Sequence, residues 1–456
     1  MHEWDDVAEA TATACIDYAL ERLRLDPVPL DHPVPYDELA ARVGETISAG
    51  GRPPEAMVRL FAEVLAPACI SVDSERFFSF IPGAPTKVSL LFDLVVGASS
   101  INASSWLEAS GVVLAENQAL RFLADAAGLP QAAGGCFVSG GSAGNLSALV
   151  VGREVAAAQR EHRPERWIVA VGEQTHSSVV NTLRILDCEP LFVPSDGRDR
   201  ITGSGLAAAL DRCADPGAVC AVVATAGTTN AGIIDDLAGI GAVARERGLW
   251  FHVDAAYGGA ALLAPSVRAR FDGIETVDSF VVDPHKWLYA PFDCCALLYR
   301  RPALARAVHT QDAAYLEAIR LEDRADEAPA EWNPSDYAYH LSRRARGLPF
   351  WFSLAVHGID AYRDAIEYTL ALAHDAAAQI RALPHLDLVR EPELSIVLFR
   401  RRGWTEADYL EWSTCMLDEQ TAFALPTRWQ GEMVGRLVFL TPRCTPELIA
   451  EVLATL

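Results

Sequence analysis

The sequence predicts an α/β protein organised on a mainly parallel sheet of seven strands. From Cys136 to Tyr299 one theme recurs: a short β-branched or apolar run, a turn of small residues, then a helical pattern. The runs are apolar on both side-chain faces, as strands covered by helices on both sides must be. With 456 residues and 51% hydrophobic residues, the chain can also bury a core large enough for two or three lobes.

The predicted strands are 136–138, 167–171, 190–193, 218–224, 249–253, 280–282 and 296–299. Residues 1–75 read as a helical arm broken by prolines at Asp26-Pro-Val-Pro, His32-Pro-Val-Pro and Arg52-Pro-Pro. Residues 76–350 form the expected large domain, and 351–456 a smaller C-terminal α+β domain. That last part is read as a helix after Arg343-Arg344, strands 386–389, 394–399 and 436–439, and a closing helix. Within 309–332 the charged, Ala-rich run 321–331 is the candidate mobile loop. There is no internal repeat and no low-complexity tract.

A formal charge of −23 and a pI near 4.9 repel phosphate backbones and anionic lipid, which excludes nucleic acid and membrane as expected partners. Apolar runs such as 218–226 stop well short of the ~20 residues needed to cross a bilayer. The N-terminus, Met1-His-Glu-Trp-Asp-Asp, is acidic where a secretory signal would be basic and then apolar, so the expected location is cytoplasmic. The ten cysteines form no C-x-x-C pair and no metal-like Cys/His spacing, so they are expected to be reduced, mostly buried thiols with no metal. Adjacent Cys294 and Cys295 are read as part of a strand entering the core.

Four motifs fall at the carboxyl ends of predicted strands, where an open parallel sheet presents its ligand site. Phe137-Val-Ser-Gly-Gly-Ser-Ala-Gly-Asn145 runs from a strand through small residues into a helix; exposed N–H groups at such a turn attract phosphate. His252-Val-Asp-Ala-Ala-Tyr-Gly-Gly259 sets Asp254 at a strand end, where a carboxylate can pair with a ring nitrogen and the small Ala256 lets a flat ring lie close. Val281-Val-Asp-Pro-His-Lys-Trp287 sets Lys286 just beyond a buried strand. A lysine there can lose its proton and form an imine. It is one of only two lysines, with Lys87, in a chain whose other long cations are all arginine. Glu173-Gln-Thr-His-Ser-Ser178 offers His176 as an imidazole able to stack on a planar group. A helix N-cap for Asp254, a surface cation for Lys286 and a capping histidine for His176 are the alternatives.

Taken in order, these residues resemble the pyridoxal phosphate-dependent group II decarboxylases, the family of the aromatic amino acid and glutamate decarboxylases. The resemblance runs from about Phe77 to the C-terminus. It implies a fold type I (aspartate aminotransferase-like) large domain, pyridoxal 5'-phosphate as cofactor, and decarboxylation of a free or carrier-bound L-amino acid to the amine. On the same resemblance Lys286 carries the cofactor, Asp254 pairs with its pyridine nitrogen and His176 stacks on the ring. Gly141, Ser142, Asp283 and His285 would hold it, and Thr229, in Ala224-Thr-Ala-Gly-Thr-Thr-Asn230, would support it beside Ala256. Tyr315, in Tyr315-Leu316, would return a proton to the substrate carbon from a loop that reaches a neighbouring subunit, which implies a homodimer with shared sites. Phe80, Ile81, Pro82, Gly83, Asn102 and Ser104 would surround the substrate side chain, with Val72 nearby.

Two departures concern the substrate. Animal aromatic decarboxylases carry Trp and Phe where Val72 and Ser104 stand, and the His-Pro usual before the paired aromatics is replaced within Asp73-Ser-Glu-Arg-Phe-Phe78. A flat aromatic wall is therefore depleted, and a polar or branched substrate is expected. Oxidative deamination to an aldehyde, or transamination, is the rival on the same fold, and a cofactor-free scaffold the rival from another class.

Overall fold

The computed structural model of the chain describes residues 2–319 and 331–456. Ten of the eleven residues of the acidic run read as a loop, 321–330, lie outside the described residues. All seven predicted strands of the large domain are present: β1 (Gly134–Val138), β2 (Trp167–Gly172), β3 (Cys188–Val193), β4 (Val219–Thr225), β5 (Trp250–Asp254), β6 (Ser279–Val282) and β7 (Cys295–Tyr299). They form one sheet in the order β1-β7-β6-β5-β4-β2-β3. Only β7 runs against its neighbours, β1 and β6, because it returns from β6 through a loop without a crossover helix.

Side chains alternate across this sheet and sort into two cores. Val222, Ala224, Phe251, Val253, Phe280 and Val282 face one core; Ala221, Val223, Trp250, Val281 and Leu297 face the other. The second face is covered by helix Gly141–Ala158, which approaches closely through small residues: a Cβ on Gly152 would meet the Trp250 ring and one on Gly144 would meet Val281.

The C-terminal lobe carries an antiparallel sheet of β8 (Leu386–Leu388), β9 (Ile396–Arg401), β10 (Thr427–Trp429) and β11 (Glu432–Val438), in the order β10-β11-β9-β8. The predicted strands at 386–389, 394–399 and 436–439 are there with shifted ends. Strand β10 was not predicted: it has three residues and is defined by the Gln430-Gly431 hairpin, both residues at positive φ, rather than by an apolar run. Helix Leu348–Ala382 leads into this lobe and is interrupted at Gly358.

The N-terminal arm is helical, as predicted, with helices Asp6–Arg24, Tyr36–Val43 and Pro54–Leu60. None of the three holds a fully buried residue, although Tyr18 of the first meets Phe61 edge-on. The strap that follows does pack. Phe77 pairs edge-on with Phe423, Phe78 enters the core of the C-terminal lobe against Phe439, and Thr86 N–H donates to the Tyr289 carbonyl at 2.9 Å. No helix among the described residues is long and apolar enough to cross a membrane.

Deep in the large domain, Arg343 and Glu116 form a bidentate pair at 2.7 and 3.0 Å with side chains 0% and 2% exposed. Arg343 also donates to the Ala103 and Phe137 carbonyls, and Glu116 accepts from Gly347 N–H at 2.8 Å. This knot ties helix Trp106–Ala126 to β1 and to the start of the long helix.

Candidate active site

The carboxyl ends of β1, β2, β4, β5 and β6 open into a cavity of about 370 Å³. Its wall includes Gly141, Ser142, His176, Thr229, Asp254, Ala256, Asp283, His285 and Lys286, so the nine residues singled out in the sequence for cofactor binding converge on one space. They do so because each follows the last residue of a strand, or ends one, and parallel strands end on the same edge.

Lys286 Nζ lies 2.9 Å from Asp283 Oδ2, and His285 Nε2 is 3.6 Å from the same oxygen. Burial pulls the lysine pKa down, but the charges of Asp283 and Asp254 outweigh it and leave the group above its ordinary value. Burial pushes the Asp283 carboxyl up, and Lys286 and His285 together bring it below the usual range. Asp283 thus holds the Nζ that is read in the sequence as able to lose its proton and form an imine. His285 is lowered by burial, Asp283 opposing; its Nδ1 lies 2.7 Å from the Cys294 carbonyl oxygen, to which it donates.

Asp254 Oδ1 accepts from Ala256 N–H at 3.1 Å and Oδ2 from Asn145 Nδ2 at 2.9 Å. His176 caps helix Ser177–Ile185: its Nδ1 accepts from Ser178 N–H at 3.2 Å, so the ring proton sits on Nε2. The helix Gly141–Ala158 begins at Gly140 with no side-chain cap, leaving its first N–H groups facing the cavity.

The donor set fits pyridoxal phosphate. An uncapped helix start suits the phosphate, a buried amine the aldehyde, and a fixed carboxylate the ring nitrogen. Two buried atoms of the wall, Thr225 Oγ1 and Asp283 Oδ1, have no hydrogen-bond partner among the described residues, as expected where a polar ligand completes the set. Gly141 keeps the space open: a Cβ there would come 3.1 Å from Ala256 Cβ and 3.4 Å from Asp283.

The residues expected around the substrate are not drawn into this cavity in the same way. Gly83 approaches it from the backbone, its N–H 3.4 Å from the His285 carbonyl, and a Cβ on Gly83 would fall 1.5 Å from the Lys286 carbonyl oxygen. Ile81 is buried in the core, while Phe80, at φ 49°, is 58% exposed beside Phe423. Asn102 and Ser104 bond each other and the Glu108 carboxylate. Tyr315 lies in the short turn Ala314–Ile319, 74% exposed and outside the cavity wall.

Several contributors escaped the sequence reading. Asn145 stands one helical turn after Gly141, and His252 two residues before Asp254 on the same strand face, so periodicity alone could have nominated both. Arg436 is buried and donates to the carbonyls of Thr229, Asn230 and Phe80, tying β11 to the Thr229 turn; burial lowers its pKa to about 10. Nothing in the sequence near Arg436 signals that contact.

A family profile, the pyridoxal-dependent decarboxylase conserved domain, matches residues 42–402. The chain is 28% identical over 451 residues to an aromatic-L-amino-acid decarboxylase of Bacillus atrophaeus, covering 96% of this chain and 92% of that protein. It is 29% identical over 483 residues to an L-2,4-diaminobutyrate decarboxylase of Rhizobium meliloti (strain 1021), covering 98% and 88%. The crystal structure of Oryza sativa TDC with PLP and tryptamine superposes with a TM-score of 0.89 over 99% of this chain and 97% of that one, at 23% identity, a likeness of fold.

Proposed function

The chain belongs to the pyridoxal-dependent decarboxylase family and is a pyridoxal phosphate-dependent amino acid decarboxylase; on that premise we propose how its own residues divide the work. The observation that carries the assignment is the convergence of Lys286, Asp254, His176 and an uncapped helix start on one cavity.

Bound there, the cofactor supplies an electron sink for the charge left on the substrate's α-carbon as CO2 departs. Lys286 would hold the cofactor through Nζ, and Asp283, 2.9 Å away, is placed to take the proton that Nζ must lose before it can bond an aldehyde. Asp254 pairs with the ring nitrogen, where a fixed negative charge in a dry site stabilises the positive ring. His176 stacks on the ring with its Nδ1 already engaged by Ser178. Gly141, Ser142, His285 and Thr229 hold the phosphate end and the turn beside it, and Ala256 leaves room for the ring. Tyr315 returns a proton to the α-carbon.

We read the molecule as a cytoplasmic homodimer whose Tyr315 turns serve each other's cavities. The supporting features are the arm helices, none of which holds a fully buried residue, the exposed Leu91, Leu94, Leu107 and Leu114, and the exposure of Tyr315. Residues 1–75, 76–350 and 351–456 are proposed as arm, cofactor domain and small domain. The substrate is proposed to carry a polar or branched side chain, because Val72 and Ser104 stand where an aromatic wall would need Trp and Phe.

Product analysis tests the reading. The cofactor-loaded protein is given a panel of aromatic, acidic, branched and amine-bearing amino acids, free and carrier-bound, and CO2, amine and carbonyl products are followed beside Lys286→Ala. Amine from a polar or branched substrate, abolished in the variant, is the expected result. Preference for Trp, Tyr or Phe would sink the substrate assignment, and aldehyde formed in air would overturn the role of Tyr315. Mixing Lys286→Ala with Tyr315→Phe should regain activity through hybrid dimers, and no regain would refute shared sites.

A further inference from the structure

Beneath the cavity lies a set of hydrogen bonds whose directions are all determined. Trp250 Nε1, which can only donate, lies 2.9 Å from Ser279 Oγ. That hydroxyl accepts from Trp250; because Asp254 takes the Asn145 amide nitrogen and leaves Oδ1 facing His252 Nε2, the neutral His252 ring accepts at Nδ1 from Ser279 Oγ, 2.8 Å away. With Nδ1 accepting, the ring proton of His252 sits on Nε2 and is donated to Asn145 Oδ1 at 2.9 Å. The Asn145 amide nitrogen then spends its hydrogens on Asp254 Oδ2 at 2.9 Å and Ser178 Oγ at 3.3 Å. Ser178 Oγ is 2.8 Å from His176 Nδ1, which also accepts from Ser178 N–H. A flipped Asn145 amide would set its oxygen against the Asp254 carboxylate and its nitrogen against the His252 N–H, so only one orientation is consistent.

The fold makes this arrangement. Trp250, His252 and Asp254 alternate on one face of β5, Ser279 is the register partner of His252 on β6, and helix Gly141–Ala158 lays Asn145 across that face. Asn145, His252 and Ser279 are 0% exposed, so the bonds among them and to Asp254 are made where no water competes, while the branch through Ser178 to His176 reaches the exposed edge of the cavity.

We propose that Asn145 is the branch point of a one-way hydrogen-bond relay, Trp250 to Ser279 to His252 to Asn145, that fixes Asp254 as an acceptor and orients the His176 ring from a single anchor. Asn145, His252 and Ser279 are thus positioning residues: they act through Asp254 and His176, with Asn145 at the cavity wall and His252 and Ser279 behind it. The inference rests on the cavity being the cofactor's site, and it explains why polar side chains stand at three fully buried positions where apolar ones would pack without needing partners.

Two measurements test it on the cofactor-loaded protein. The first is the ¹⁵N spectrum of histidine-labelled protein at pH 7.5, with the His252 signal assigned by its loss in His252→Gln. A neutral ring protonated on Nε2 is expected, and a ring protonated on Nδ1 or on both nitrogens overturns the relay. The second is cofactor affinity, read from the visible absorption band. Losing a hydrogen bond to a charged group, Asn145→Leu should raise Kd about 10- to 100-fold. Ser279→Ala should raise it less, and Ser279→Thr, which keeps the hydroxyl, should restore it. An unchanged Kd in Asn145→Leu, or equal behaviour of the two Ser279 variants, overturns the proposal, and the Ser279 pair decides it even if Asn145→Leu does not fold. A wild-type protein that develops no visible band refutes the cofactor site itself and is a separate failure.

Discussion

Replacing Glu116 by Ala should be among the most damaging single changes in the chain, although Glu116 lies outside the cavity wall. It leaves the Arg343 guanidinium, 0% exposed, with only the carbonyls of Ala103 and Phe137 as partners. Stranding one member of a buried ion pair costs about 3–5 kcal/mol. Gly347 N–H also loses its acceptor, adding about 1–3 kcal/mol. At an unfolding entropy of about 2.1 cal/mol/K per residue, the 456 residues carry about 1 kcal/mol/K, so the midpoint should fall by about 4–8 °C. Removing both charges in Glu116→Leu with Arg343→Met should recover at least half of that loss, because no charge is then left without its partner. Scanning calorimetry at a fixed scan rate measures both. A single variant within about 1 °C of the parent, or a double variant lower than the single by the cost of a second lesion, would show that the pair is not the knot described.

Three further outcomes are expected. Gly83→Ala should sharply lower cofactor affinity and stability together, since its Cβ would lie 1.5 Å from the Lys286 carbonyl and neither backbone can yield cheaply; normal cofactor titration of that variant would contradict it. Asp235, pushed by burial to about 7, accepts from Thr225 N–H at 2.7 Å and Ile201 N–H at 2.9 Å. Asp235→Asn must turn an amide nitrogen toward one of those donors, so a loss of about 1–3 kcal/mol in urea unfolding is anticipated, and an unaffected midpoint would count against it. Burial lowers His252 to about 4, with Asp254 opposing, so below pH 6.5 the unfolded chain takes up a proton that the folded one refuses. Its contribution is complete above pH 6.5 and fades toward pH 4, about 3 kcal/mol in all. His340 is displaced the same way, so the parent should lose stability between pH 7 and 5 more steeply than His252→Gln, and parallel curves would discard the linkage.

The large sheet was legible because each buried strand is a compact apolar run between small-residue turns. The short strands were less so: β10 is set by a hairpin and by its pairing with β11, which no run of residues announces. The cofactor residues were legible for the same reason as the strands, since parallel order carries every strand end to one edge. Their support was not. His252 needs Ser279 across the β5–β6 register, and Arg436 reaches Thr229 from more than 200 positions away, relations that exist only once the chain has folded. The expected substrate residues came from likeness to a family, and in a single chain Asn102 and Tyr315 remain apart from the cavity wall.

The strap between arm and sheet bears on how such an enzyme can diversify. Phe77 and Phe78 are committed to packing, Ile81 is buried, and Gly83 has no room for a side chain against Lys286. Phe80 alone is largely free, a bulky ring in a left-handed conformation that glycine or asparagine would adopt at less cost. Along this stretch a substitution therefore costs least at one position, where a change of ring need not disturb the lysine beneath it.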